Sequence, residues 1–283
     1  MKTKRLLQLV RIQNVIGAAV GDLMGYVVFT SWRIEWKTLL ISMVVVALVA
    51  GGGYVINDIR DVEIDKVNKP ERPLPSGEVS LREAKAITLI SFLGGASLSA
   101  LLGPVPFTIA LLTIFLLVSY ALWLKKQGPV GNLVVALTTA LSIFFGGISV
   151  SVNALSSITL MIPVVYSFLL TLGREVVKGV EDYNGDYAHG VKTLAIRLGV
   201  RPAWNTAKGL ILSTALISPL PILFHYNLAY IVLLLAFLFY VVKTLTLPPL
   251  IENAARGSKY LKVAALIGIA AFILGSVPFV FPH

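Results

Sequence analysis

Cysteine is absent from the 283 residues, and charged residues make up only 13% of them. The first absence removes disulfides and thiolate metal sites, so any bound metal must take oxygen or nitrogen ligands. The second sets the chain apart from soluble domains, of which about 25% is charged. With 57% hydrophobic residues and a mean hydropathy of +0.84, the chain holds more apolar surface than one water-bounded core can hide. Lipid as solvent removes the difficulty. Lys and Arg outnumber Asp and Glu by 24 to 14, a net charge of +10. That surplus looks like a nucleic-acid signal until its distribution along the chain is read.

Crossing about 30 Å of hydrocarbon takes about 20 apolar residues in a helix. Nine stretches qualify, at about 12–30, 38–57, 84–103, 105–123, 130–150, 155–177, 205–224, 228–246 and 261–281. The first follows Lys2, Lys4 and Arg5 as a signal peptide would, but its length and the stretches after it read as a retained span. With the N-terminus inside, segments 1–11, 58–83, 124–129, 178–204 and 247–260, with the span ends beside them, are cytoplasmic. They hold 22 of the 24 Lys and Arg residues, and only Arg33 and Lys37 lie outside. That bias is the positive-inside pattern, and it places the C-terminus outside. It also accounts for the basic charge, so no nucleic-acid partner is needed.

The two long cytoplasmic loops follow spans two and six and are acidic as well as basic. This suggests two four-helix halves with corresponding loops, plus a ninth helix. The expectation is an all-α membrane protein, a bundle of about nine transmembrane helices, forming one domain over 1–283 in the cell membrane.

The first loop runs from Asn57 to Gly77. Asp58, Asp61 and Asp65 fall at i, i+3 and i+7, one face of a helix continuing from the second span. Pro70, Pro73 and Pro75 end that helix. Three carboxylates on one stripe repel each other unless a cation sits among them. Mg2+ suits them, since it takes oxygen ligands and is commonly held by one or two carboxylates plus substrate phosphates. Lys69 and Arg72 can reach the same phosphates, Arg72 in a bidentate manner. In the second loop Glu175, Asp182 and Asp186 are spaced seven and four apart, again one helical face, with Lys178 beside them. Gly185 is expected to fray the helix near Asp186. Ionisable clusters where spans meet water mark function, and two of them, one from each half, can face each other across a cavity.

At these residues the chain resembles the UbiA superfamily of intramembrane prenyltransferases. Its N-D-x-x-D-x-x-x-D signature matches Asn57, Asp58, Asp61 and Asp65, and its D-x-x-x-D matches Asp182 and Asp186. Lys69 to Gly77 and Lys192 to Ala195 also look like the family. Where some members carry a third Asp four residues before the second motif, this chain has Lys178, and Glu175 stands one turn further back. Arg11 to Asn14, Asn68 to Pro70, and Tyr120 to Asn132 resemble the archaeal ether-lipid and chlorophyll-type members more than the hydroxybenzoate enzymes, and the ether-lipid branch is favoured.

The resemblance implies transfer of a prenyl group, geranylgeranyl in that branch, from its diphosphate to a lipid acceptor, geranylgeranylglyceryl phosphate; an aromatic acceptor is the alternative. Two Mg2+ ions would be held by Asn57, Asp58, Asp61, Asp65, Glu175, Asp182 and Asp186. Asp61, Asp182, Lys125 and Arg72 would be catalytic. Asn14, Lys69, Arg72, Tyr120, Lys125 and Lys178 would bind substrates, in a dry, aromatic-rich cavity.

Other features are weaker signals. Asp22 lies within the first span and either lines the cavity or pairs with a neighbouring helix. His189 reads as a loop histidine. Gly51 to Gly53 lack the Lys-Ser/Thr of a phosphate loop and read as close helix packing. A secondary transporter would place its acids near the midplane on broken helices, whereas these gather at one interface. The longer D-G-x-x-A-R signature of CDP-alcohol phosphotransferases is absent.

Overall fold

Carrying the first motif on the end of a span requires a helix that crosses the membrane and continues beyond it. Helix α3, Trp36–Asn68, does so over 33 unbroken residues. The computed structural model describes residues 2–188 and 190–278; His189 and the end of the last expected span lie outside them. Helices α1 (Lys2–Leu9) and α2 (Ile12–Thr30) precede α3, and α4 (Leu81–Ala100), α5 (Pro104–Leu122) and α6 (Pro129–Ile148) follow it. Next come α7 (Ile158–Glu181), two short helices α8 (Tyr183–Ala188) and α9 (Leu194–Leu198), then α10 (Val200–Ile217), α11 (Leu228–Leu245) and α12 (Ile251–Gly275). No strand occurs among the described residues.

Eight of these helices are long and apolar enough to cross a membrane by length and composition. The expected span at 84–103 is α4, which falls outside that set although it has 20 residues. Arg82, Glu83 and Lys85 occupy its first turns, and the Ser80–Glu83 capping box fixes its start. Those charges, with the Ser, Thr and Gly that follow, dilute its apolar content. Among the described residues this measure gives eight, so the expected count of nine is not confirmed. Large apolar side chains such as Ile90, Phe115, Leu216, Leu223 and Leu235 point outward, as a lipid-facing surface requires.

Local chemistry sets the helix ends. Glu35 caps α3 by accepting from the amides of Lys37 (3.1 Å) and Thr38 (2.6 Å). The hydrogen bonds from Thr38 hold the Glu35 carboxyl below its ordinary pKa. Tyr26 braces the same turn, its hydroxyl donating to the Glu35 carbonyl at 3.1 Å and accepting from the Glu35 amide at 3.0 Å. At the other end of α3 the Lys69 amide closes on Asp65 O at 2.8 Å, and the prolines take over.

Helix α2 is central, packed against α3, α6, α7 and α12. Its crossing with α6 is a backbone contact: a Cβ on Gly25 would lie 1.7 Å from Ile143 O, and one on Gly146 would lie 2.0 Å from Asp22 O. Small residues let membrane helices approach this closely. Gly146→Ala is therefore expected to destabilise the fold by about 1–3 kcal/mol or more. Thermal unfolding in detergent reads this, and an unchanged Tm would contradict the packing. Gly52 and Gly53 do the same for α4 and α5, where an added Cβ would meet Phe92 at 2.6 Å and Leu117 at 2.9 Å.

Asp22 is fully buried and pairs with a neighbouring helix, accepting from Ser42 Oγ of α3 at 2.7 Å. A cluster of aromatic residues forms part of the packed core. Tyr166, Tyr226, Tyr230, Phe237 and Phe272 of α7, α11, α12 and the turn before α11 stack on one another, with centroids 5.0–6.1 Å apart. Tyrosine and phenylalanine edges prefer faces to open space.

Candidate active site

Both motifs lie at one end of the bundle. On α3, Asp58 and Asp65 are buried, with 5% and 6% exposure, and Asp61 lies one turn from each. The proline-rich segment folds back so that Arg72 Nη1 stands 2.5 Å from Asp65 Oδ2 and 3.5 Å from Asp58 Oδ1. Asp58 also takes Arg11 Nη2 at 2.5 Å. Asp61 accepts from Asn57 Nδ2 at 2.9 Å and from Lys125. Burying these carboxylates without cations would be costly, and three basic side chains from three segments meet that need. Lys69 is exposed at the helix end.

Lys125 belongs to a short 3-10 turn, Leu124–Gln127, that follows α5. Gly128 ends the turn at φ +60°. The turn also joins the two halves: the Lys192 amide donates to the Lys126 carbonyl at 3.3 Å, and Gly128 packs against the Lys192 carbonyl and Thr193. The loop after the second motif is thus docked on the segment that serves the first.

The second motif departs from a single helical stripe. Helix α7 ends at Glu181, Asp182 caps it at φ −88°, ψ 9°, and α8 starts anew at Tyr183. The break falls at Asp182 rather than at Gly185. The Asp186 amide closes on Asp182 O at 2.9 Å. Glu175 lies further back on α7, 3.3 Å from Arg174 and 3.7 Å from Lys178. Tyr120, near the end of α5, links the motifs: Asp61 on one side and Glu175 and Asp186 on the other are within electrostatic reach of its hydroxyl. Asn14 is exposed at the start of α2, near Tyr54.

Among the described residues no three His, Asp or Glu side chains converge as a ready metal cluster. Asp58, Asp61, Asp65 and Glu175 are shared out among basic partners. The residues nevertheless fit a hard cation, for the donor set is all oxygen. Asn57 Oδ1 is buried with no hydrogen-bond partner, while its amide nitrogen is held on Asp61. A shallow pocket lined by Arg60, Asp61, Trp123 and Lys125, among others, opens beside that pair.

The sequence reading assigned no role to the Arg11 side chain, to Tyr54 or to the Lys126–Lys192 junction. Arg11 had one available signal, a charge at the head of an apolar helix three residues before Asn14.

The UbiA prenyltransferase family matches residues 18–266. A digeranylgeranylglyceryl phosphate synthase of Saccharolobus solfataricus is 50% identical over 99% of both chains. A solved structure described as giving insights into digeranylgeranylglyceryl phosphate synthase in membranes is 35% identical. It superimposes with a TM-score of 0.83, covering 98% of this chain and 99% of that one. A UbiA homolog from Archaeoglobus fulgidus bound to DMAPP and Mg2+, 18% identical, has a TM-score of 0.67 over 95% of this chain and 99% of its own. That last likeness is one of fold.

Proposed function

Because the chain belongs to the UbiA prenyltransferase family, we propose that it transfers a geranylgeranyl group from its diphosphate to the free hydroxyl of geranylgeranylglyceryl phosphate, in archaeal ether-lipid synthesis. The chain is a prenyltransferase and an integral membrane protein, acting as one domain over 1–283. The observation that carries the choice of acceptor is the 50% identity, end to end, with a relative named for that product.

In the reaction the allylic C–O bond of the donor breaks and an ether bond forms between that carbon and the acceptor oxygen. Diphosphate leaves, and the hydroxyl proton passes to it or to water. Asn57, Asp58, Asp61 and Asp65 from one loop and Glu175, Asp182 and Asp186 from the other would hold two Mg2+ ions. Bound there, Mg2+ supplies Lewis-acid neutralisation of the leaving diphosphate. Lys125 and Arg72 place positive charge where the leaving group gains negative charge, and Lys69 and Lys178 help to bind it. Asn14 and Tyr120 contact the acceptor at the mouth. The apolar helix walls keep water from the electron-deficient carbon. The 22-to-2 distribution of Lys and Arg supports a cytoplasmic active site and N-terminus with the C-terminus outside.

Removing metal tests the reaction class. With labelled geranylgeranyl diphosphate, EDTA is expected to stop diphosphate release by the detergent-solubilised protein, and added Mg2+ to restore it. Release that continues in excess EDTA would contradict the reading.

A further inference from the structure

Arg11 sits where two helices meet. Helix α1 ends at Leu9, α2 begins at Ile12, and Arg11 between them adopts φ 53°, ψ 58°. This left-handed backbone is uncommon for a residue with a side chain, and such strain gathers at functional sites. The side chain reaches α3, with Nη2 2.5 Å from Asp58 Oδ1 and Cζ 5.3 Å from the centre of the Tyr54 ring. Asp58 has a second guanidinium, since Arg72 touches both Asp58 and Asp65. Arg11 is thus additional to the pairing that the first motif makes within its own loop. Its side chain keeps 31% exposure. One contact to Asp58 uses a small part of its five N–H donors.

We propose that Arg11 binds the phosphate of the glyceryl phosphate acceptor and so sets the choice of acceptor. The inference rests on the reaction proposed above. Two anionic groups must lie close together in that reaction, the diphosphate of the donor and the phosphate monoester of the acceptor. The acids of the two motifs, Lys125 and Arg72 are committed to the first. A phosphate monoester carries a charge of about −1.5 to −2 at neutral pH and requires a cation of its own. Arg11 comes from outside both motif loops and stands at the water boundary, where the polar end of a lipid acceptor lies. Its planar fork suits phosphate oxygens better than an ammonium does. Asn14, one turn along α2, also lies near Tyr54, so the Arg11, Tyr54 and Asn14 side chains gather at one edge.

The test is a binding measurement on the full chain in detergent, with Mg2+ and unreactive geranylgeranyl thiolodiphosphate present. Calorimetry would follow geranylgeranylglyceryl phosphate and, separately, its phosphate-free alcohol. Arg11→Gly suits the left-handed backbone and removes only the side chain. Arg11→Lys keeps the charge without the fork. Arg11→Gly is expected to weaken the phosphate acceptor by about tenfold to 100-fold and to leave the thiolodiphosphate and the alcohol unchanged. Arg11→Lys should fall between. Equal losses for donor analogue and acceptor, or no loss for the acceptor, would overturn the proposal. No binding of the glyceryl phosphate by the unsubstituted protein would overturn the reading of the reaction instead, and the inference with it.

Discussion

Asp61→Ala is expected to lower prenyl transfer by on the order of a thousandfold or more while leaving the protein folded. Asp61 is the middle acid of the first motif, and its carboxylate is where Asn57 and Lys125 meet. Its side chain is 15% exposed at the end of the bundle, away from the packed crossing of α2 and α6. Removing it deletes negative charge that a metal needs and leaves Lys125 without its acid. Asp61→Asn keeps the shape and removes only the charge, so a comparable loss would assign the effect to charge. Asp182→Ala makes the parallel case on the second motif, where the acid is exposed and its removal cannot disturb packing. Transfer of labelled prenyl groups by monodisperse protein is the measurement. A loss under tenfold for Asp61→Ala would remove it from the reacting site.

Gly128→Ala is expected to cost about 100-fold in activity, although it changes no charged or hydrogen-bonding side chain. A methyl at this position would lie 2.0 Å from the Lys192 carbonyl oxygen and 2.7 Å from Thr193 Cα. Both are backbone atoms, so no side chain can rotate aside. The backbone at φ 60°, ψ −100° is also one that L side chains rarely adopt. The turn bearing Lys125 and the loop after the second motif must therefore move apart, and a shift near 1 Å in a positioning element can cost about that factor. Gly209→Ala is the control, since nothing lies within 4 Å of an added Cβ there. Its activity should be unchanged. Full activity in Gly128→Ala would mean that the junction does not hold the site together.

Much of this was legible in the sequence because it depends on local periodicity. The i, i+3, i+7 acids forecast that α3 runs on past the membrane, and Pro70 forecast its end. The apolar runs gave the helices, and α4 differs from expectation because its first turns are charged. What was not legible depends on contacts distant in sequence or on backbone conformation. Nothing local marks Arg11 as left-handed, and its pairing with Asp58 spans 47 positions. The break at Asp182 interrupts spacing that looked continuous. The mutual packing of Tyr166, Tyr226, Tyr230, Phe237 and Phe272 was not legible either, since composition alone does not say which way a ring faces. The Lys126–Lys192 contact is made by backbone atoms, which carry no side-chain signature.

The most direct test of the central claim offers two acceptors to one preparation. Purified protein with Mg2+ and labelled geranylgeranyl diphosphate would receive geranylgeranylglyceryl phosphate or 4-hydroxybenzoate in parallel. The account predicts transfer to the glyceryl phosphate, abolished by EDTA and by Asp61→Ala. Transfer to the aromatic acid alone, or no transfer to either, would contradict it.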